Sequence, residues 1–191
     1  YRINMNVGAV FCEGINIFLE EGVPGDTLFI MESDGTSDVA ALNTLENTLC
    51  VENCDIVIAS RFRTTGGYMR FPLKRKILSF GANLLMRKRF PIPNVTDYTI
   101  FFRIYRYEIL NLMVAWYGRQ GSIRSKGFAA NAELLVKASF LDARINEIPY
   151  RYDYGNKKGK SKLPIFSTFV EYISMWIELD RVYKKLSRTR S

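Results

Sequence analysis

Hydrophobic and polar positions follow two patterns along the chain, one typical of helices and one typical of buried strands. Apolar residues recur every three or four positions in residues 6–20, 77–86, 129–140 and 165–177, which predicts amphipathic helices. Further helices are predicted at 38–49 and 108–117. Apolar runs bounded by polar residues predict strands at 27–31, 55–60 and 145–152. Helices therefore alternate with strands, which favours parallel βαβ units in an α/β fold.

The strand predicted at 27–31 runs directly into acidic residues. Strand residues two apart point to the same side, so Glu32 and Asp34 are predicted to project together. The ends of parallel strands face the ligand crevice, where two carboxylates suit a divalent cation that a phosphate-bearing ligand also contacts. The alternative is a polar strand end that leads into a helix cap at Ser37 or Asp38.

Basic residues surround the helix predicted at 77–86. Arg61 and Arg63 follow the second strand, Lys74 to Lys76 precede the helix, and Arg87 to Arg89 end it. One interpretation is a surface helix with solvated charges. The other is a contact with a phosphate group or a membrane.

A second basic segment, residues 153–163, contains two glycines and four lysines. Its stretch 155–161 resembles a Walker A loop, but that motif has four residues between its glycines and this stretch has three. We therefore reject an ATPase. The segment remains suited to closing over a diphosphate, and a solvated basic loop is the alternative.

The last predicted helix has an apolar face and ends in five basic residues. This combination fits a helix that lies on an anionic leaflet, although packing against the core or against a further carboxy-terminal segment is equally compatible. No stretch reaches the roughly 18 apolar residues of a membrane span. Because the chain opens at Tyr1 in the middle of a pattern, we expect a fragment whose upstream part is missing.

The composition narrows the possible chemistry. The chain of 191 residues is 48% hydrophobic and carries 27 basic against 19 acidic residues, which indicates one globular domain with an anionic partner. It contains no histidine, so Ser-His-Asp and Cys-His catalysis and the usual zinc sites are excluded. Carboxylates, Lys, Arg, Tyr or a hard metal with oxygen ligands must serve instead. Three cysteines without a CxxC pair favour a reducing compartment.

Six short segments, taken in their order along the chain, together match one known pattern. They are Met31-Glu-Ser-Asp34, Asp55-Ile-Val-Ile-Ala-Ser-Arg61-Phe, Ser79-Phe-Gly-Ala-Asn83, Asp97-Tyr-Thr99 with Phe102-Arg103-Ile-Tyr-Arg106, Gly127-Phe128 with Glu133-Leu-Leu, and Gly159-Lys-Ser161-Lys162-Leu163. In this order they resemble family 2 glycosyltransferases of the GT-A fold, in the branch of dolichyl-phosphate (polyprenyl-phosphate) mannosyl- and glucosyltransferases.

The resemblance implies a Rossmann-like, mixed and mostly parallel sheet flanked by helices, without its first β-α-β portion. Residues 1–163 would form the catalytic domain and 164–191 an amphipathic carboxy-terminal helix at the membrane interface. The implied activity is inverting transfer of a hexose from a nucleoside diphosphate sugar to a polyprenyl phosphate or a glycan. The enzyme would act on the cytoplasmic side of a membrane, peripherally or through an anchor elsewhere, without binding nucleic acid.

The resemblance also implies roles for individual residues. Those roles are Mg²⁺ or Mn²⁺ binding by Asp34 and Glu32, catalysis by Asp34, Asp97 and Glu133, donor diphosphate binding by Glu32, Lys160, Ser161 and Lys162, and acceptor phosphate binding by Arg61, Arg75, Ser79 and Arg103. A phosphate acceptor needs no general base, whereas a hydroxyl acceptor would require Asp97 or Glu133 to take its proton.

The chain departs from the family pattern at several positions. Glu32 replaces the usual first aspartate of the metal motif, Val39 a proline, Ile100-Phe101 a Ser-Gly pair and Tyr154 an arginine. The family's first strand and its base-binding aspartate are expected upstream of Tyr1, so this piece alone should bind donor weakly. Two other functions remain open: a noncatalytic basic domain that binds membranes or nucleic acid, and a sugar-phosphate nucleotidyltransferase.

Overall fold

The computed structural model describes residues 6–157 and 165–190. Helices and strands alternate along the chain, which confirms the predicted α/β class. The helices are α1 (Val7–Glu21), α2 (Leu42–Val51), α3 (Leu73–Arg89), α4 (Tyr107–Tyr117), α5 (Ala129–Ser139) and α6 (Ile165–Arg190). The strands are β1 (Thr27–Ile30), β2 (Ile56–Ser60), β3 (Gly67–Met69), β4 (Arg103–Arg106), β5 (Ile145–Pro149) and β6 (Arg151–Asp153).

Backbone contacts divide the chain into two compact units. A helical unit comprises Tyr1–Pro24, Tyr107–Asp142 and Lys162–Ser191, and a sheet unit comprises Gly25–Arg106 and Ala143–Ser161. The first and last helices, α1 and α6, fall in the same unit.

The sheet unit contains a four-stranded sheet in the order β1-β4-β2-β5. Strand β4 pairs antiparallel with both β1 and β2, whereas β2 and β5 pair in parallel. Strands β1, β2 and β5 therefore run in one direction, and β4 runs against them. The sheet is mixed as predicted, but β4 separates the two strands that the alternating pattern had suggested as neighbours.

The strand predicted at 145–152 is two strands in the structure. Strand β5 completes the main sheet, and β6 pairs in parallel with β3 in a separate two-stranded sheet. Tyr150 lies between them and is buried. Its backbone N–H donates to the carbonyl of Ser60, and its own carbonyl accepts from Gly67, so Tyr150 is bonded to both the end of β2 and the start of β3.

The core of the sheet unit centres on β2, whose five residues are all buried. Leu45 and Leu49 of α2 are fully buried in the same unit, as the spacing of apolar residues in an amphipathic helix requires. In the helical unit α5 is buried from Ala129 to Ala138 and packs against α1, α4 and α6. None of the helices in the described parts of the chain is long and apolar enough to cross a bilayer.

Candidate functional site

The acidic residues after β1 lie close together. The hydroxyl of Thr36 is 2.5 Å from Oδ1 of Asp34 and 3.3 Å from Oε2 of Glu32, so one side chain contacts both carboxylates. Thr36 is buried, and its backbone N–H also donates to Asp34. Asp38 caps a short 3-10 turn, Val39–Ala41, that precedes α2, because its carboxylate accepts a hydrogen bond from the backbone of Ala40. Glu32 and Asp34 are therefore separate from the cap.

Lys157 supplies a positive charge at the acidic pair. Its ammonium group forms an ion pair with Oδ2 of Asp34, and both side chains are mostly buried. Asp34 thus already attracts a cation in this structure. Sequence reasoning missed this contact because 123 residues separate the two side chains along the chain.

The oxygen atoms at this pair fit a hard divalent cation. Two carboxylates and a hydroxyl are ligands that Mg²⁺ and Mn²⁺ accept, and Mg²⁺ commonly binds through one or two carboxylates together with substrate phosphates. The described residues contain no group of three His, Cys, Asp or Glu side chains that could hold a metal ion by themselves. A bound ion would therefore need the ligand's phosphates or water to complete its coordination.

Arg61, at the end of β2, is fixed by a buried carboxylate. Its Nε and Nη2 donate to Oδ2 and Oδ1 of Asp97, each at 2.7 Å, and its backbone N–H donates to the same carboxylate. Arg61 is 8% exposed and Asp97 is 0% exposed. Two parallel hydrogen bonds of this kind set the orientation of the guanidinium plane.

Both partners of this ion pair have shifted pKa values. Burial alone would raise the pKa of Asp97, but the charge of Arg61 and its hydrogen bonds outweigh burial and lower it. Burial would likewise lower the pKa of Arg61, and the charge of Asp97 reverses that effect and raises it. Both groups are therefore charged over the whole physiological pH range.

Thr99 joins Arg61 to Ser79 of α3. The Thr99 hydroxyl accepts a hydrogen bond from Nη2 of Arg61 at 2.7 Å and lies 3.3 Å from Oγ of Ser79. Asn83, one turn after Ser79, donates to the same hydroxyl at 3.0 Å, and Tyr68 OH lies 2.9 Å from Ser79. The structure thus brings together two of the residues predicted to bind the acceptor phosphate.

Aromatic rings surround the Arg61 guanidinium and connect it to the acidic pair. Its Cζ lies 5.8, 5.1 and 5.7 Å from the ring centroids of Phe62, Tyr68 and Tyr152. Burial raises the pKa of Tyr152, and the negative charge of Glu32 raises it further. The charge of Glu32 also adds to the raised pKa of Arg61. Glu32 and Arg61 therefore lie in one electrostatic environment within the sheet unit.

The other predicted acceptor residues differ in their placement. Arg75 is four residues before Ser79 on α3, so both lie on one face of the helix, and its Cζ is 5.7 Å from the Tyr154 ring. Arg103 is fully buried in β4, where it donates to the Tyr98 carbonyl and the Tyr105 hydroxyl. The Arg103 side chain therefore donates to groups of its own unit and is not exposed to a ligand in this structure.

The remaining predicted residues belong to the helical unit or lie outside the described residues. Glu133 belongs to the helical unit and is buried. It accepts hydrogen bonds from the backbone of Arg124 and Ser125 and pairs with Lys137, so it holds the loop before α5. Lys160, Ser161 and Lys162 lie outside the described residues.

Sequence reasoning also missed Glu147, a carboxylate on β5 that is 5% exposed. Its Oε1 accepts hydrogen bonds from the backbone N–H groups of Thr96 and Asp97, each at 2.7 Å. The sequence signal that could have identified Glu147 was its position as an acidic residue inside an apolar strand. Its neighbours Ile145 and Ile148 are buried in the structure. Charged residues are almost never fully buried unless they are paired, so this pattern indicates a partner elsewhere in the chain.

The chain is similar to a characterised bacterial protein. It is 30% identical over 158 residues to undecaprenyl-phosphate mannosyltransferase of Micrococcus luteus. The aligned region is 82% of this chain and 60% of the relative, so the chain spans about three fifths of the relative's length. No protein-family model matches the chain. The similarity supports the resemblance that the sequence motifs indicated.

Proposed function

We propose that this chain is the catalytic part of a glycosyltransferase that transfers a hexose from a nucleoside diphosphate sugar to a polyprenyl phosphate. The observation that carries the proposal is that one compact unit holds both the acidic pair, joined through the Thr36 hydroxyl, and the Arg61 guanidinium, fixed by Asp97. The similarity to an undecaprenyl-phosphate mannosyltransferase supports the choice of substrates.

In this proposal the acidic pair serves the donor. Asp34 and Glu32 would hold Mg²⁺ or Mn²⁺, and Thr36 would orient both carboxylates through its buried hydroxyl. The metal, when bound, stabilises the negative charge that develops on the departing diphosphate. Lys157, released from Asp34 when the metal binds, would add a further positive charge for the diphosphate.

Arg61 would bind the acceptor phosphate. Its Nε and Nη2 are engaged by Asp97 and Thr99, and no group in the described parts of the chain accepts a hydrogen bond from Nη1. A guanidinium has five N–H donors, so the two on Nη1 remain for an anion. Ser79 and Arg75 lie on the adjacent face of α3 and would complete the phosphate contacts.

The state of Asp97 favours a phosphate acceptor over a hydroxyl acceptor. A hydroxyl must lose its proton to a base, whereas a phosphate monoester is already an anion. The ion pair with Arg61 lowers the pKa of Asp97 despite its burial, so Asp97 is a weak base. In the reaction a phosphate oxygen would attack the anomeric carbon while the bond to the diphosphate breaks, which inverts the configuration.

The exposed face of α3 supports attachment to a membrane surface. Leu73, Ile77, Phe80 and Leu84 are each more than half exposed. Basic residues occupy both ends of the helix, including Arg87, Lys88 and Arg89 in its last turn. An apolar face between positive charges fits an anionic leaflet, and a polyprenyl phosphate resides in such a leaflet with its phosphate at the surface.

The test is Asp34→Asn in the full-length protein, measured as release of nucleoside diphosphate with undecaprenyl phosphate and increasing Mn²⁺. We expect a loss of at least about a hundredfold in turnover, because electrostatic stabilisation of the leaving group is usually the largest catalytic contribution. The matched control is Asp38→Asn, since asparagine caps a helix as well as aspartate.

Three outcomes would reject the proposal. Unchanged turnover in Asp34→Asn would remove the metal role. Release of pyrophosphate instead of nucleoside diphosphate would identify a nucleotidyltransferase. Binding to vesicles without any turnover of a nucleotide sugar would identify a noncatalytic membrane domain.

A further inference from the structure

Glu147 is a buried carboxylate with a full set of partners, all of them close to Arg61. Its Oε1 accepts from the backbone N–H groups of Thr96 and Asp97, and its Oε2 lies 2.5 Å from the Thr96 hydroxyl. Its side chain is 0% exposed, and Nε of Arg63 lies 3.5 Å from Oε2. A buried charge is costly unless it is paired and hydrogen-bonded, so these contacts fix the residues that make them.

The contacts of Glu147 affect Arg61 through two neighbouring residues, Asp97 and Thr96. On one side, Glu147 holds the backbone of Asp97, whose carboxylate orients the guanidinium. On the other side, the Thr96 hydroxyl lies 3.2 Å from Oγ of Ser60, the residue that precedes Arg61 in the chain. Movement of Glu147 would therefore displace both the carboxylate that binds Arg61 and the strand end that carries it.

We infer that Glu147 is a positioning residue for the acceptor phosphate site and acts through Asp97 on Arg61. The inference rests on the proposed function for the identity of the ligand. The contacts from Glu147 through Asp97 to Arg61, which we call the relay, do not depend on it. Glu147 itself touches no reacting atom in this scheme. Its role is to keep Nη1 of Arg61 directed at one place, so that the phosphate meets a preorganised donor.

The test compares Glu147→Met with Glu147→Gln. Methionine has a similar length but cannot accept the two backbone hydrogen bonds. Glutamine keeps one carbonyl oxygen for them, but it loses the charge and replaces the oxygen that accepts from the Thr96 hydroxyl with an NH2 group. The first readout is binding of farnesyl monophosphate. We expect its Kd to rise about tenfold in Glu147→Met and about threefold in Glu147→Gln, since charge-assisted contacts to a phosphate are strong.

The second readout is the Nε–Hε resonance of Arg61 in NMR spectra, assigned with Arg61→Lys. In the unsubstituted protein the hydrogen bond to Asp97 should protect this proton from exchange with water. Protection should fall in Glu147→Gln and fall further in Glu147→Met. Leu49→Ala is the control, because it removes a fully buried side chain of the same unit without touching the relay.

The outcomes separate this inference from the proposed function. Equal farnesyl phosphate binding and equal Arg61 protection in the Glu147 variants would overturn the inference, as would losses no larger than those of Leu49→Ala. If Glu147→Met fails to fold, Glu147→Gln decides alone on the same two readouts. Failure of the unsubstituted protein to bind farnesyl phosphate contradicts the proposed function, and the Arg61 resonance still tests the relay.

Discussion

Arg61 and Asp97 form an ion pair in the core of the sheet unit, with two hydrogen bonds of 2.7 Å between the guanidinium and the carboxylate. Removing one charge of a buried pair leaves the other without compensation, which typically destabilises a protein by about 3–5 kcal/mol. We therefore expect Asp97→Asn to lower the free energy of unfolding by about 3 kcal/mol, measured by urea denaturation.

Asp153→Asn is the control for this prediction. Asp153 pairs with Arg70 at a position where the Arg70 side chain is 61% exposed, so solvent screens their attraction. We expect Asp153→Asn to lower the free energy of unfolding much less than Asp97→Asn does. Equal losses in the two variants would mean that burial does not strengthen the Arg61 pair.

The same ion pair predicts a pH dependence of stability. The pKa of Asp97 is lowered in the folded protein, so the unfolded chain binds a proton more readily at this residue. Its contribution to stability is present above the ordinary aspartate pKa of about 3.9 and is lost as the pH falls through the folded value. The difference in unfolding free energy between the unsubstituted protein and Asp97→Asn should be constant above about pH 5 and shrink below about pH 4. A difference that stays constant down to acid unfolding would contradict the lowered pKa.

The parts of the fold that depend on local pattern could be predicted from the sequence. Strand β1 and the acids that follow it, the amphipathic helix α5 and the helix α6 all lie where the periodicity places them. The spacing of apolar residues shows which side of a helix or strand faces the core, and it depends only on residues within that element.

The sequence could not predict features that depend on contacts between distant segments. Insertion of β4 between β1 and β2 is decided by strand pairing, and the buried charges Asp97 and Glu147 are tolerated only because partners 36 to 51 residues away satisfy them. Arg103 shows the same limit. The family motif implied a phosphate contact, but the Arg103 side chain is fully buried and donates to the Tyr98 carbonyl.

Lys157 and a divalent cation should compete for Asp34. The ammonium of Lys157 is paired with this carboxylate, and two cations cannot share it without repulsion. We expect Lys157→Met to tighten Mn²⁺ binding about three- to tenfold, measured without substrate by the decrease of the free Mn²⁺ EPR signal. Lys88→Met in the last turn of α3 makes the same change of net charge away from the pair. Mn²⁺ binding that is unchanged or weaker in Lys157→Met would show that the ammonium does not compete.

The exposed face of α3 should contribute to membrane binding. Replacing Ile77 and Leu84, which are 62% and 52% exposed, by serine removes apolar area that would enter the leaflet. We expect the double substitution to weaken binding to phosphatidylserine vesicles at least about tenfold in a flotation assay. Val51→Ser is the control, because Val51 is 84% exposed but lies outside α3. Equal vesicle binding by the double variant and the control would exclude this face.

Two glycines of α1 should respond to alanine with opposite signs. A Cβ at Gly8 would lie 1.8 Å from the carbonyl oxygen of Ser125, whereas a Cβ at Gly14 would meet nothing within 4 Å. The Gly8 N–H also donates to the Lys126 carbonyl at 2.9 Å, so the helix cannot move away without losing this bond. We expect Gly8→Ala to destabilise the protein by about 2 kcal/mol or more, as overpacking does.

Gly14→Ala should instead stabilise the protein by up to about 1 kcal/mol, because alanine loses less backbone entropy than glycine in a helix. Thermal unfolding of both variants measures the two signs in one helix. A stabilising effect of Gly8→Ala would mean that α1 and the loop at Ser125 do not approach as closely as the structure has them. A destabilising effect of Gly14→Ala would mean that a neighbouring group covers this position.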